Sequence, residues 1–154
     1  MITNRTEQDV IDAKTLIMEK VQNFVTLTAA EKNTLERGTL TLTTINRIES
    51  KAAELIAAIK KYCYSCGGGE ARTAWTKDDV FTSEDFKRIL EYTESMRSGF
   101  FIKNDTPETP DTLLKWDSLN SEEQILSDLA YMVDDIKKHF RQCGTFECGE
   151  VNNL

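Results

Sequence analysis

The sequence predicts an all-α fold: a small bundle of about five helices, three of them long, with irregular connectors and a short C-terminal turn or hairpin. Three observations point there. Apolar residues recur at steps of three and four along most of the chain. Only two prolines and seven glycines occur in 154 residues, too few for the tight turns of an all-β chain. Several of the periodic stretches open on a hydroxyl residue followed three positions later by an acid or amide, the signature of a helix N-terminus. The length fits one domain, and a chain of this size buries a real core without disulfides or metal.

Taken in order, Thr6 caps a first helix with Asp9 at its third position, and Val10, Ala13, Ile17, Val21 and Phe24 form its stripe. Thr28-Ala29-Ala30-Glu31 is a capping box that opens a short helix to about Arg37, stopped by Gly38. Residues 39–44 alternate Thr and Leu and read as a linker. The strongest helix covers residues 44–62, with Ile45, Ile48, Ala52, Leu55, Ile56 and Ile59 on one face. Arg47, Glu49, Lys51, Glu54 and Lys60 are placed mostly off that face. Residues 63–69 form a glycine-rich break and 75–80 a second connector.

Thr82 with Asp85 starts the next helix, and Phe81 and Phe86 occupy the two positions of a hydrophobic staple. Its stripe is Phe86, Ile89, Leu90, Thr93 and Met96, and Gly99 ends it. Residues 103–118, which hold Pro107 and Pro110, form the longest loop. The last helix runs from Ser121 to Gln142 and turns Ile125, Leu129, Met132, Ile136 and Phe140 inward. The chain thus divides into sub-halves, about 1–62 and 76–150, joined by a linker over 63–75. Their plans are alike, without a residue-level repeat.

The net charge of −7 disfavours contact with nucleic acid or anionic lipid, and basic residues are scattered without an aromatic partner stripe. No apolar run is long enough to span a membrane, and the polar start lacks the apolar core of a secretion signal. Synthesis in a cytosol is expected.

The cysteines carry the most specific pattern. Cys63-x2-Cys66 is a common zinc half-site, because two intervening residues let both thiolates face one ion across a tight turn. Cys143-x4-Cys148 supplies a looser second half, with His139 as an alternative ligand. Four protein ligands make a structural site. Two disulfides or four free thiols fit the same residues. A redox role for Cys63 and Cys66 lacks the strand that should precede it. His139 is the only histidine, no nucleophile motif surrounds it, and no catalytic residues are assigned. The acid pairs Asp78-Asp79 and Asp134-Asp135 read as solvated faces, and Gly67-Gly68-Gly69 lacks the Lys-Ser/Thr of a phosphate loop. Trp75, Trp116, Phe100 and Phe101 sit in connectors and are candidate interface residues.

Several segments, in order, resemble a family of small helical proteins encoded among tail and baseplate genes of phages and prophages of Gram-positive bacteria. They are Asn4-Arg5-Thr6-Glu7-Gln8-Asp9-Val10, Leu27-Thr28-Ala29-Ala30-Glu31-Lys32, Thr44-Ile45-Asn46-Arg47-Ile48-Glu49, Trp75-Thr76-Lys77-Asp78-Asp79, Thr106-Pro107-Glu108-Thr109-Pro110, Leu119-Asn120-Ser121-Glu122-Glu123 and Cys143-Gly144-Thr145-Phe146-Glu147-Cys148-Gly149-Glu150. The cysteines depart from the family's pattern, so a metal site would be particular to this branch. The resemblance implies a non-enzymatic structural or adaptor component of the virion's tail region. It would act through contacts with other tail or baseplate proteins and through homo-oligomers in the particle. The alternative is a small cytosolic phage-encoded regulator that binds a host protein, with a structural zinc.

Overall fold

The computed structural model describes residues 1–62, 69–99, 104–112 and 115–143, the last four of these by backbone alone. The described residues form five α-helices and no strand: α1 (Glu7–Leu16), α2 (Ala29–Gly38), α3 (Leu42–Tyr62), α4 (Ser83–Ser98) and α5 (Trp116–Cys143). A π-helical turn, Ile17–Val21, extends α1.

The capping boxes at Thr6/Asp9, Thr28/Glu31 and Thr82/Asp85 all form, each hydroxyl accepting from the third backbone N–H while the acid answers the cap's own N–H. Phe81 and Phe86 pack edge to face with ring centres 4.5 Å apart, which sets the angle at which the chain enters α4. Thr41 caps α3 through the Thr44 N–H, so the expected linker over 39–44 shortens and the helix begins at Leu42. At the other end, α5 begins at Trp116, five residues before the expected Ser121. The Ser121-x-x-Gln124 pattern lies inside the helix, where backbone N–H groups already have partners one turn back.

The core is a three-helix arrangement. Ile48, Ala52, Leu55, Ile56 and Ile59 of α3 meet Ile89, Tyr92 and Met96 of α4 and Leu119, Ile125, Leu126, Leu129 and Val133 of α5. On α5 the buried face takes Leu126 and Val133, while the expected Met132 and Ile136 are only half-buried.

Helices α1 and α2 pack as a hairpin beside this core. Their packing corrects the expected stripe of α1: Ala13 and Leu16 are the buried residues, and Val21 and Phe24 face solvent. Phe24 stands beyond the helix end, and the π turn accounts for Val21. That turn adds a residue per turn after Leu16 and rotates every later side chain off the 3.6-residue register. A close approach between the two helices explains the small residues. A Cβ on Gly38 would stand 2.0 Å from the Asp9 carbonyl oxygen and 2.4 Å from the Ala13 Cβ. Backbone cannot yield as a flexible side chain does, so Gly38→Ala is expected to cost about 2–3 kcal/mol. Chemical denaturation checks this, and a cost within error of zero would mean the hairpin closes less tightly.

The hairpin's tip has an unusual cap. The Val25 N–H reaches back to the Lys20 carbonyl at 3.0 Å and the Phe24 N–H to the Val21 carbonyl at 3.1 Å. That is the Schellman pattern, whose left-handed seat is normally glycine. Here Phe24 holds it, at φ 55°.

Candidate functional site

The chemistry-bearing side chains that the fold gathers are buried carboxylates, which the sequence pattern did not single out. Glu49, Glu122 and Glu123 are all fully buried, and Arg5 nearly so. Two of the three acids are closed by cations.

On α5, Glu123 Oε1 receives the Arg5 guanidinium at 2.7 Å and the Arg47 guanidinium, also at 2.7 Å. The Ile2 backbone N–H donates to the other oxygen. Burial pushes the Glu123 carboxyl up, but the Arg47, Arg5 and Ile2 donors outweigh it and hold it below the usual range. Arg47 also pairs with Glu36 of α2, tying the hairpin to the core.

On α3, Glu49 is the hub of a second cluster. Arg88 of α4 grips it with two nitrogens, at 2.6 and 3.2 Å. The Tyr92 hydroxyl donates at 3.2 Å, the Arg72 backbone N–H at 2.8 Å and the Trp75 indole N–H at 3.4 Å. Burial and the Glu49 charge raise the Tyr92 phenol, so it stays protonated.

Glu122 is different. Its Oε1 accepts from the Thr93 hydroxyl at 2.6 Å. Among the described residues no donor reaches its buried Oε2. Burial, aided by the neighbouring Glu123 charge, lifts this carboxyl to about 7 against the Thr93 hydrogen bond.

Glu49 and Glu123 have their oxygens engaged by fixed donors and are closed off from solvent. Neither presents a free lone pair to a substrate, and both fasten elements of the fold to one another.

The sequence-predicted site residues are scattered by comparison. Trp75 is buried, edge to face against Phe81 at 5.2 Å with the Arg72 guanidinium over its ring, so the fold itself uses this candidate interface aromatic. Trp116 opens α5 and is 36% exposed, available for contact. Phe100 and Phe101 lie outside the described residues. So do Cys63, Cys66 and Cys148, the side chain of Cys143 and the expected C-terminal hairpin. His139, the alternative zinc ligand, is exposed on α5, where its Nδ1 lies 2.9 Å from the Asp135 carbonyl of its own helix. No cluster of three or more metal-ligating side chains occurs among the described residues, and none of their helices is long and apolar enough to cross a membrane.

Two surface features complete the description. An open groove of about 700 Å³ runs between α4 and residues 109–112, with Phe86, Leu90 and Pro110 at its base and Glu91, Glu94 and Asp111 on its rim. The hairpin tip carries Phe24, 96% exposed, beside exposed Met18, Val21 and Val25. No protein-family model, curated protein or solved structure matches the chain.

Proposed function

We propose that this chain is a non-enzymatic structural or adaptor component of a phage tail or baseplate, present in several copies and working through contacts with other tail proteins. The ordered resemblance of its segments supports the setting. The contact role rests on one observation: Phe24 stands in a helix cap that favours glycine, yet its ring touches almost nothing in the chain.

A left-handed backbone costs a bulky L-residue about 1–2 kcal/mol, and a fully exposed ring returns none of it through burial. Such a residue makes sense as an anchor for something outside the chain, because exposed aromatics dominate the energetics of interfaces once covered. Met18, Val21 and Val25 extend the apolar surface around it.

Phe24→Gly separates the two roles. Glycine relieves the strained dihedral but loosens the unfolded chain, so the isolated protein is expected to gain about 0.5–1 kcal/mol. The same variant is expected to lose its tail partners. The test is co-purification of tagged wild-type and Phe24→Gly protein with the tail proteins of its own gene cluster. Wild-type protein that captures none of them refutes the tail reading, and a glycine variant that captures as well as wild type refutes the role of the tip.

A further inference from the structure

Two segments lie against the helices, and their clasped residues are held alike. Residues 2–9 read Ile-Thr-Asn-Arg-Thr-Glu-Gln-Asp, and residues 72–79 read Arg-Thr-Ala-Trp-Thr-Lys-Asp-Asp. The first lies on α5 and the second on α3.

In the first, the Arg5 N–H donates to Asn120 Oδ1 at 3.0 Å, and the Asn120 amide returns a bond to the Arg5 carbonyl at 2.9 Å. In the second, the Trp75 N–H donates to Asn46 Oδ1 at 2.8 Å, and the Asn46 amide returns one to the Trp75 carbonyl at 3.0 Å. Three residues before each clasp, a backbone N–H donates to the glutamate one helical turn beyond the asparagine: Ile2 to Glu123 and Arg72 to Glu49. The clasped residue's own side chain reaches the same glutamate, through the Arg5 guanidinium in one case and the Trp75 indole in the other. One arginine from a neighbouring helix closes each site, Arg47 on Glu123 and Arg88 on Glu49. Each segment then ends in a threonine paired with an aspartate, at the start of α1 in the first and in a turn in the second. The Thr6 and Thr76 N–H groups both donate to an aspartate three residues on, Asp9 and Asp79, at 2.7 Å.

The seats match as well. Ile45-Asn46-Arg47-Ile48-Glu49 and Leu119-Asn120-Ser121-Glu122-Glu123 align residue for residue. Asparagine and glutamate three apart share one helical face. Ile45 and Leu119, just before them, are both buried. The α3 seat follows residues 2–9, and the α5 seat follows residues 72–79, by a similar distance, yet each holds the other segment.

We infer that α3 and α5 carry two copies of one peptide-binding seat, that its ligand is a segment of the pattern Thr-x-(Arg or Trp)-Thr-x-x-Asp, and that residues 2–9 fill the α5 seat and residues 72–79 the α3 seat. The asparagine reads the backbone of its ligand from both sides as a neighbouring strand would, which makes it tolerant of sequence. The glutamate selects for a donor side chain, which arginine and tryptophan both supply and an aliphatic residue does not.

Amide hydrogen exchange of the whole protein tests this with two mild variants. Asn120→Ala is expected to speed exchange at Ile2 and Arg5, and Asn46→Ala at Arg72 and Trp75, each about ten- to a hundredfold for two lost hydrogen bonds, with the opposite segment unchanged. Release at one seat only, or at both from either variant, overturns the equivalence. A transplant addresses the ligand pattern. Arg5→Trp is expected to keep a higher thermal midpoint than Arg5→Leu, and Trp75→Arg a higher one than Trp75→Leu. Leucine equalling or exceeding the transplanted residue at either seat overturns the proposed specificity.

Discussion

Replacing Glu49 by leucine is expected to cost about 3–5 kcal/mol. The size follows from what the carboxylate joins. Its two oxygens receive Arg88, Tyr92, the Arg72 backbone and the Trp75 indole, so it links α3, α4 and the segment that crosses between them. Leucine fills much of the volume but accepts nothing. The Tyr92 hydroxyl, in the core, then loses its acceptor, and among the described residues Arg88 keeps Asp85 at 3.3 Å and the Glu70 carbonyl at 3.1 Å. Leaving donors buried and unpaired is what makes breaking such a cluster expensive; the net worth of the intact cluster is smaller. Glu49→Gln keeps one acceptor oxygen and should fall between. Urea denaturation at neutral pH checks the order, with Trp75 leaving its buried site as a fluorescence signal. A Glu49→Leu cost below about 1 kcal/mol would mean that these donors find water instead. For a domain whose whole stability is commonly about 5–15 kcal/mol, the expected loss removes a fifth or more of it.

Glu49 also marks the boundary of what could be read from the sequence. The stripe Ile45 to Ile59 follows from helical spacing alone, and so do the threonine caps, because both depend on residues within a turn or two. Glu49 sits one position from Ile48, so periodicity puts it at the edge of the stripe. Whether an edge acid is buried is decided by its cation. Arg88 is 39 residues away in sequence, and the Arg5 that buries Glu123 is 118 away. Nothing local announces either pairing.

The register error in α1 has another cause. Ile17 and Val21 keep the right spacing, but a π turn changes the angle per residue beneath them, and Phe24 lies in the cap beyond the helix. The two seats were visible only as short stretches of like residues. What equates them is the set of shared hydrogen bonds, and these join residues far apart in sequence. The cysteine pattern, the most specific signal in the sequence, lies outside the described residues, so the structure adds nothing to its zinc, disulfide or free-thiol readings.

The comparison of the seats gives the last prediction its sharpest form. Glu122 holds the place in the α5 seat that Ile48 holds in the α3 seat, and both are buried. An acid therefore stands where the fold wants a hydrocarbon, with one hydroxyl donor and no cation on it among the described residues. Such a group keeps its proton in the folded state, to about 7 against an ordinary 4.5. Between those values the folded chain binds a proton that the unfolded chain has released. Stability accordingly falls as pH rises through that window, by about 3 kcal/mol in all, and levels off above it. The ion-paired acids act oppositely and elsewhere. Asp9, bonded to Arg37, is held down to about 2, so its contribution is complete above its ordinary value and is lost only in stronger acid. The wild-type stability curve should therefore peak near pH 5 and decline toward pH 8. Glu122→Gln should abolish the decline. Glu122→Ile, copying the other seat, should abolish it too and be more stable than wild type at pH 8 by about 2–3 kcal/mol, because it removes a buried charge without opening a cavity. Urea melts of the three proteins across this range decide the matter. A flat wild-type curve between pH 5 and 8 would show that water or a donor reaches Oε2 in solution, and an isoleucine variant less stable than wild type at pH 8 would show that the seat has use for the acid.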